Sequence, residues 1–135
     1  MLPQTSNPDG VFAPPANYSQ AARVPSGSDM LFISGQGPQN IKGETVGIGD
    51  VTAQAEQVFH NLHTILAAHG ATFAHVIKAT IYLTDMARLA EFNAVRTKYY
   101  GMARPASALL GVTALVDPGW MLEVELVALI PAQLA

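Results

Sequence analysis

The spacing of apolar residues changes several times along the chain, and each change marks an element. From Val51 to His69, Val51, Ala55, Val58, Phe59, Leu62, Ile65 and Leu66 recur at the interval of one helical face. Asp50 precedes this run as an N-cap, and Gly70 follows as a C-terminal stop. A second helix is predicted from Met86 to Tyr100, capped by Asp85 and closed by Gly101. Its apolar arc holds Met86, Leu89, Phe92 and Tyr100, and Asn93 falls inside that arc. A buried-face asparagine needs a hydrogen-bond partner, so Asn93 either ties down a nearby loop or orients a site.

Strand patterns alternate with these helices. Tyr18 to Val24 and Met30 to Ser34, separated by the turn-forming Pro25-Ser26-Gly27-Ser28-Asp29, predict a hairpin. Val76 to Leu83 is apolar on both faces, the pattern of a sheet covered on each side. The stretch from Arg104 to Glu125 reads as two strands joined by the loop Leu115 to Trp120. The closing strand alternates strictly. Leu122, Val124, Leu126, Ala128 and Ile130 share one face, and Met121, Glu123, Glu125, Val127 and Leu129 the other. Glu123 and Glu125 thus stand about 6–7 Å apart on a face with apolar neighbours. Acids so placed are explained by chemistry there or by a strand end that reaches solvent; the second is the reading for Glu125.

The resulting order is β-β-α-β-α-β-β, an α+β single domain over residues 18–131 with an irregular, proline-rich lead-in over 1–17. Two helices cover one face of such a sheet, so the other face requires another chain. Composition points the same way, because half of the 135 residues are apolar and only 13% are charged. There is no cysteine, which excludes disulfides, thiolate nucleophiles and Cys-based metal sites. His60 and His63 lie one helical turn apart but off the apolar face and without a third ligand, so they read as solvated and no metal is expected. Net charge is −3, with seven dispersed basic residues, so no nucleic-acid partner is expected. No apolar run approaches the roughly 20 residues of a membrane span, and Met1-Leu2-Pro3-Gln4 lacks a basic start followed by an apolar segment. A cytoplasmic protein without a membrane partner is the expectation.

Several segments resemble one family in order and spacing. These are Tyr18-Ser19-Gln20-Ala21, Leu31-Phe32-Ile33-Ser34-Gly35-Gln36, Gln57-Val58-Phe59-His60-Asn61-Leu62, Val76 to Met86, Glu91-Phe92-Asn93-Ala94-Val95 and Glu123 to Ala128. Together they are similar to the Rid family of reactive intermediate deaminases, also called YjgF-like or L-PSP (liver perchloric-acid-soluble protein). The resemblance implies a chorismate-mutase-like fold of the bacillus type: two helices on one face of a mixed sheet, trimerising through the sheet into a central barrel. It implies a homotrimer with small-molecule sites between subunits, and metal- and cofactor-free hydrolysis of enamines or imines to 2-keto acids and ammonia.

The resemblance also implies site residues. Tyr18 matches a cleft tyrosine, Gly35 a glycine whose backbone lines the cleft, Asn93 a supporting asparagine, and Glu123 the acid that positions or activates water. The family's Pro-Ala-Arg-Ser hallmark, whose arginine clamps a substrate carboxylate, is Pro105-Ala106-Ser107-Ala108 here. Ser107 offers one neutral donor in place of a charged fork, so carboxylate affinity is expected to fall about tenfold or more. Arg104 is three residues away and is expected on the opposite side of the strand. The loop after Leu115, longer than in arginine-bearing members, is expected to bring Trp120 to the cleft mouth and make a neutral, aromatic-lined pocket.

Three functions follow. The first is a Rid-like hydrolase with an altered substrate range, using Glu123 as base and Ser107 with the backbone at Gly35 and Leu109 to hold the substrate. The second is a binding or regulatory trimer that keeps the cleft without the chemistry. The third, an endoribonuclease, is disfavoured by the acidic balance.

Overall fold

The structure, a computed structural model, describes residues 1–131. In chain order its strands are β1 (Gln4–Ser6), β2 (Ala21–Arg23), β3 (Asp29–Gln36), β4 (Val76–Leu83), β5 (Ala106–Gly111) and β6 (Leu122–Ile130). The helices are α1 (Val51–Ala68) and α2 (Leu89–Tyr100). Asp50 caps α1 by accepting from the Ala53 amide at 3.0 Å. Gly70, just beyond the helix, takes φ +71°, a conformation open to glycine at little cost. The predicted second helix starts three residues late. Asp85 caps a single 3-10 turn, Met86–Arg88, which then runs into α2.

β3, β6, β4 and β5 lie side by side in that order. The β3–β6 and β4–β6 pairs are antiparallel and β4–β5 is parallel, giving a mixed sheet. The predicted hairpin is not formed. β2 pairs instead with β1 through Gln4↔Arg23 and Ser6↔Ala21, which gives the lead-in a short strand. The physical reason is burial: Ala21, Ala22 and Arg23 have little apolar area to give the sheet, whereas Ile33 of β3 becomes buried beside apolar β6.

The predicted alternation of β6 is realised from Leu122 to Ala128 and fails beyond it, where Leu129 is buried and Ile130 only half-buried. Leu122, Val124, Leu126 and Ala128 are fully buried, with Ala79 and Ile81 of β4, in the core shared with Val58, Phe59, Leu62 and Leu66 of α1 and Phe92 of α2. Phe59 centres an aromatic cluster, its ring centroid 5.8 Å from Phe92, 5.9 Å from Phe73 and 5.4 Å from Tyr99. The opposite sheet face carries Phe32, Lys78, Thr80, Tyr82, Glu123 and Glu125. There Phe32 is 73% exposed, an unusual surface for a phenylalanine in mid-strand.

Candidate functional site

Strand register divides the predicted site residues between the two faces of the sheet. Ser107 pairs with Ala79 and Leu109 with Ile81, so both point to the helix side. Glu123 pairs with Tyr82, whose neighbour on β5 is Leu110, and these three point to the open face. β5 is a sheet edge, extended locally where the Ser19 amide donates to the Pro105 carbonyl at 2.9 Å. That bridge brings the Tyr18 segment alongside β5 and leaves a cleft between the edge and α2.

The cleft measures about 470 Å³ and is lined by Ala16, Tyr18, Gln20, Leu89, Asn93, Arg96, Ser107 and Leu109. Four of the predicted residues, Tyr18, Asn93, Ser107 and Leu109, therefore meet in one place. Gln20 shapes the wall by donating from Nε2 to the Phe12 carbonyl at 2.7 Å. Asn17 fastens the same segment to α2, donating to the Thr97 hydroxyl at 2.6 Å.

The pattern reading did not pick out Arg96, although a signal for it exists. Phe92, Arg96 and Tyr100 stand at helical i, i+4 and i+8, so an arginine occupies the middle of the buried arc. Its side chain is 3% exposed. Nη2 donates to Asn93 Oδ1 at 2.7 Å, which identifies the partner that asparagine requires, and Cζ lies 5.6 Å from the Phe92 ring centroid. Among the described residues no carboxylate forms an ion pair with Arg96, and its buried Nε has no hydrogen-bond partner. Burial lowers its pKa, and nearby Arg104 acts in the same direction. An unpaired buried donor costs about 1–3 kcal/mol, more when charged. The expected neutral pocket is thus a pocket with a cation in its wall.

Arg104 does not enter this cleft. Its Nη1 donates to the Gly101 and Ala103 carbonyls at 2.8 and 2.7 Å, at the end of α2. Trp120 also stands apart from it. The indole is buried against Gly37, where a β-carbon would overlap the ring, and Nε1 donates to Thr45 Oγ1 at 3.1 Å. Buried Gln54 holds the same loop from α1, donating to the Gly119 carbonyl at 2.7 Å and accepting from the Met121 amide at 2.8 Å.

On the open face Glu123 lies against Gly35. A register shift between Ile33 and Gln36 bends β3 there, and a β-carbon at Gly35 would overlap the Glu123 carboxylate. Glu125, read from sequence as a strand end in solvent, is half-buried and accepts from the Tyr82 hydroxyl at 2.7 Å. That bond raises the Tyr82 pKa. His60 and His63 are exposed, and no group of three or more potential ligands among the described residues is placed to hold a metal.

One chain thus presents two separate groups of predicted site residues: a cleft with a polar floor at one sheet edge, and a carboxylate on the far face near the other. Together with two helices on a mixed four-stranded sheet, they define a class of small-molecule α+β proteins. Residues 10–130 match the family described as Endoribonuclease L-PSP. Protein DfrA of Myxococcus xanthus is 43% identical over 111 residues, covering 82% of this chain and 83% of that protein. The mitochondrial protein MMF1 of Saccharomyces cerevisiae is 36% identical over 121 residues, 86% of this chain and 78% of that one. The solved structure of the conserved Rid protein YyfB from Yersinia pestis superposes with a TM-score of 0.86 at 35% identity, over 96% of this chain and 99% of that one. The chain belongs to this Rid/YjgF/L-PSP family. No helix among the described residues is long and apolar enough to cross a membrane.

Proposed function

We propose that the protein is a cofactor-free hydrolase of a small imine or enamine, acting in clefts between the subunits of a cytoplasmic homotrimer. The observation that carries this reading is the division of the site. Glu123 and Gly35 face away from the cleft that holds Tyr18, Asn93, Ser107 and Leu109, so a second copy is needed to close one against the other. The exposed Phe32 on the Glu123 face suits such an interface.

In the joined site, Glu123 takes a proton from water as the water oxygen attacks the imine carbon. The C=N double bond becomes a C–N single bond and Glu123 passes that proton to nitrogen, giving a carbinolamine. Glu123 then takes the carbinolamine hydroxyl proton and delivers it to nitrogen, so that the C–N bond breaks and ammonia leaves as the carbon–oxygen bond becomes a carbonyl. Tyr18, Ser107 and the backbone at Gly35 and Leu109 hold the substrate. Substrate range departs from 2-aminoacrylate-like acids because Ser107 replaces the charged fork of relatives that carry arginine at this position.

The family description names an endoribonuclease, but the charge distribution disfavours RNA. Of the seven basic residues, Arg88 and Lys98 are ion-paired, Arg96 is buried and Arg104 is held on backbone carbonyls. Arg23 on β2, Lys42 in the loop between β3 and α1, and Lys78 on β4 remain, on three separate segments. The test is keto-acid release from 2-aminoacrylate and from bulkier enzymatically generated imines. Activity in the wild type that vanishes in Glu123→Ala supports hydrolysis, and Ser107→Arg is expected to shift preference toward 2-aminoacrylate. A wild type silent on every imine but still binding small ligands makes the protein a binding or regulatory trimer instead.

A further inference from the structure

Arg96 is a buried guanidinium in the wall of an open cleft, without an acidic partner among the described residues. Proteins avoid that arrangement unless something else neutralises the charge. Among the described residues Asn93 Oδ1 is the one acceptor its side chain reaches, using one of the five N–H groups of a guanidinium. The Phe92 ring supports another side of the cation. The residues beside it in the cleft, Tyr18, Gln20, Ser107 and Leu109, bring no negative charge. Arg104, the other arginine nearby, repels it. Among the described residues of its own chain no acidic side chain answers that charge, and the cleft is its opening.

We infer that Arg96 is the anion-holding residue of this cleft and that the group it holds is the carboxylate of a small substrate. The inference rests on the proposed function and narrows it, since the substrate class becomes an anionic imine or enamine, not a neutral one. Ser107 and Arg96 line the same cleft from different elements, β5 and α2. Positive charge absent from the strand is thus present on the helix, and the carboxylate is drawn toward α2. Substrate range changes because the anchor has moved. Asn93 fixes the guanidinium plane, and the Ser107 hydroxyl is free to meet the other end of the ligand. A planar carboxylate suits the remaining donors because it accepts two parallel N–H groups at once.

The test uses pyruvate and its uncharged counterpart methyl pyruvate as probes, titrated into the full-length protein. Binding is followed through the arginine Nε–H resonances in 15N-edited NMR spectra, with the Arg96 signal assigned by its loss in Arg96→Met. Pyruvate is expected to shift that resonance, and methyl pyruvate to bind at least tenfold more weakly. Arg96→Met is expected to lose about tenfold or more in pyruvate affinity. Arg96→Lys, which keeps the charge without the fork, is expected to fall between. The acid–ester comparison is made on wild type alone, so it stands even if a variant fails to fold. Equal binding of the two probes, unchanged pyruvate affinity in a folded Arg96→Met, or no pyruvate binding to wild type overturns the inference. Arg96-dependent binding without turnover of any imine would overturn the hydrolase reading and leave this one standing. Turnover of imines that binds independently of Arg96 would do the reverse.

Discussion

The backbone at Gly35 passes directly against the Glu123 side chain, so closely that a β-carbon there would lie 2.9 Å from Cδ and 3.2 Å from Cγ and overlap the carboxylate oxygen. Gly35 is needed for space, since its φ is not positive. Gly35→Ala is therefore expected to push the carboxylate aside while leaving the strand extended. A flexible acid can move, so the stability cost should be small, about 1 kcal/mol. A catalytic base displaced by an ångström loses far more, and kcat is expected to fall about a hundredfold. Thermal melts and steady-state rates on one preparation check both halves. An unchanged kcat would remove Glu123 from the base role.

Gln54 makes a different kind of prediction, because it joins α1 to the Trp120 loop. Its amide satisfies the Gly119 carbonyl and the Met121 amide, where β6 is about to begin. Gln54→Leu fits the volume but orphans both backbone groups in a buried place. At about 1–3 kcal/mol for each of the two unsatisfied groups, a loss of about 2–6 kcal/mol is expected in urea unfolding. A loss below about 1 kcal/mol would mean that the loop is held chiefly by Trp120 on Gly37.

Polar residues inside apolar arcs mark the limit of what could be read from the chain. Gln54 lies three residues after Val51 and four before Val58, and Arg96 four after Phe92, so hydrophobic periodicity treats both as gaps. The elements they belong to were legible. α1 shows its full apolar stripe between Asp50 and Gly70, and β6 alternates from Leu122 to Ala128. β1 was not, because three polar residues carry no period, and β2 was assigned the wrong partner because pairing depends on distant sequence. The grouping of Tyr18, Asn93 and Ser107 came from family resemblance, as no spacing rule joins a loop, a helix and an edge strand. The place of Trp120, apart from the Ser107 cleft, was not legible for a related reason: its loop is positioned by Gln54 and Thr45, far away in sequence.

Tyr100 should govern part of the alkaline limit of stability. Burial pushes its phenol up to about 12, and among the described residues its hydroxyl has no hydrogen-bond partner. The folded state therefore keeps this proton where the unfolded chain, near pKa 10, gives it up. The associated stability is fully present below about pH 10 and is lost as pH rises from there through about 12. Tyr82 and Tyr99 are shifted upward too, so the comparison of interest is with Tyr100→Phe. That variant should be less sensitive to pH over this window, and equal to or up to about 1 kcal/mol more stable than wild type at neutral pH, since it removes an orphaned hydroxyl. A destabilised Tyr100→Phe at neutral pH would mean that the hydroxyl has a partner after all.

The division of the site yields a prediction that neither half makes alone. If the Glu123 face of one subunit closes the cleft of another, two inactive variants can repair each other. Glu123→Ala has an intact cleft, and Ser107→Trp, which fills the cleft, has an intact carboxylate. Each should be inactive as a pure trimer of 14.3 kDa chains. When they are mixed at equal amounts and allowed to exchange subunits, any site built from an unmodified half of each chain is restored. Random assembly makes that about one site in four, so about a quarter of wild-type activity should return. Phe32→Asp, which puts a carboxylate on the apolar patch of the same face, should abolish that recovery and sediment as the 14.3 kDa monomer. Both effects share one cause, which protects the test against a misfolded variant: circular dichroism of Phe32→Asp should match wild type, because the side chain is already exposed in the single chain. No recovery from a mixture shown by mass to contain mixed trimers would place the working site within one subunit.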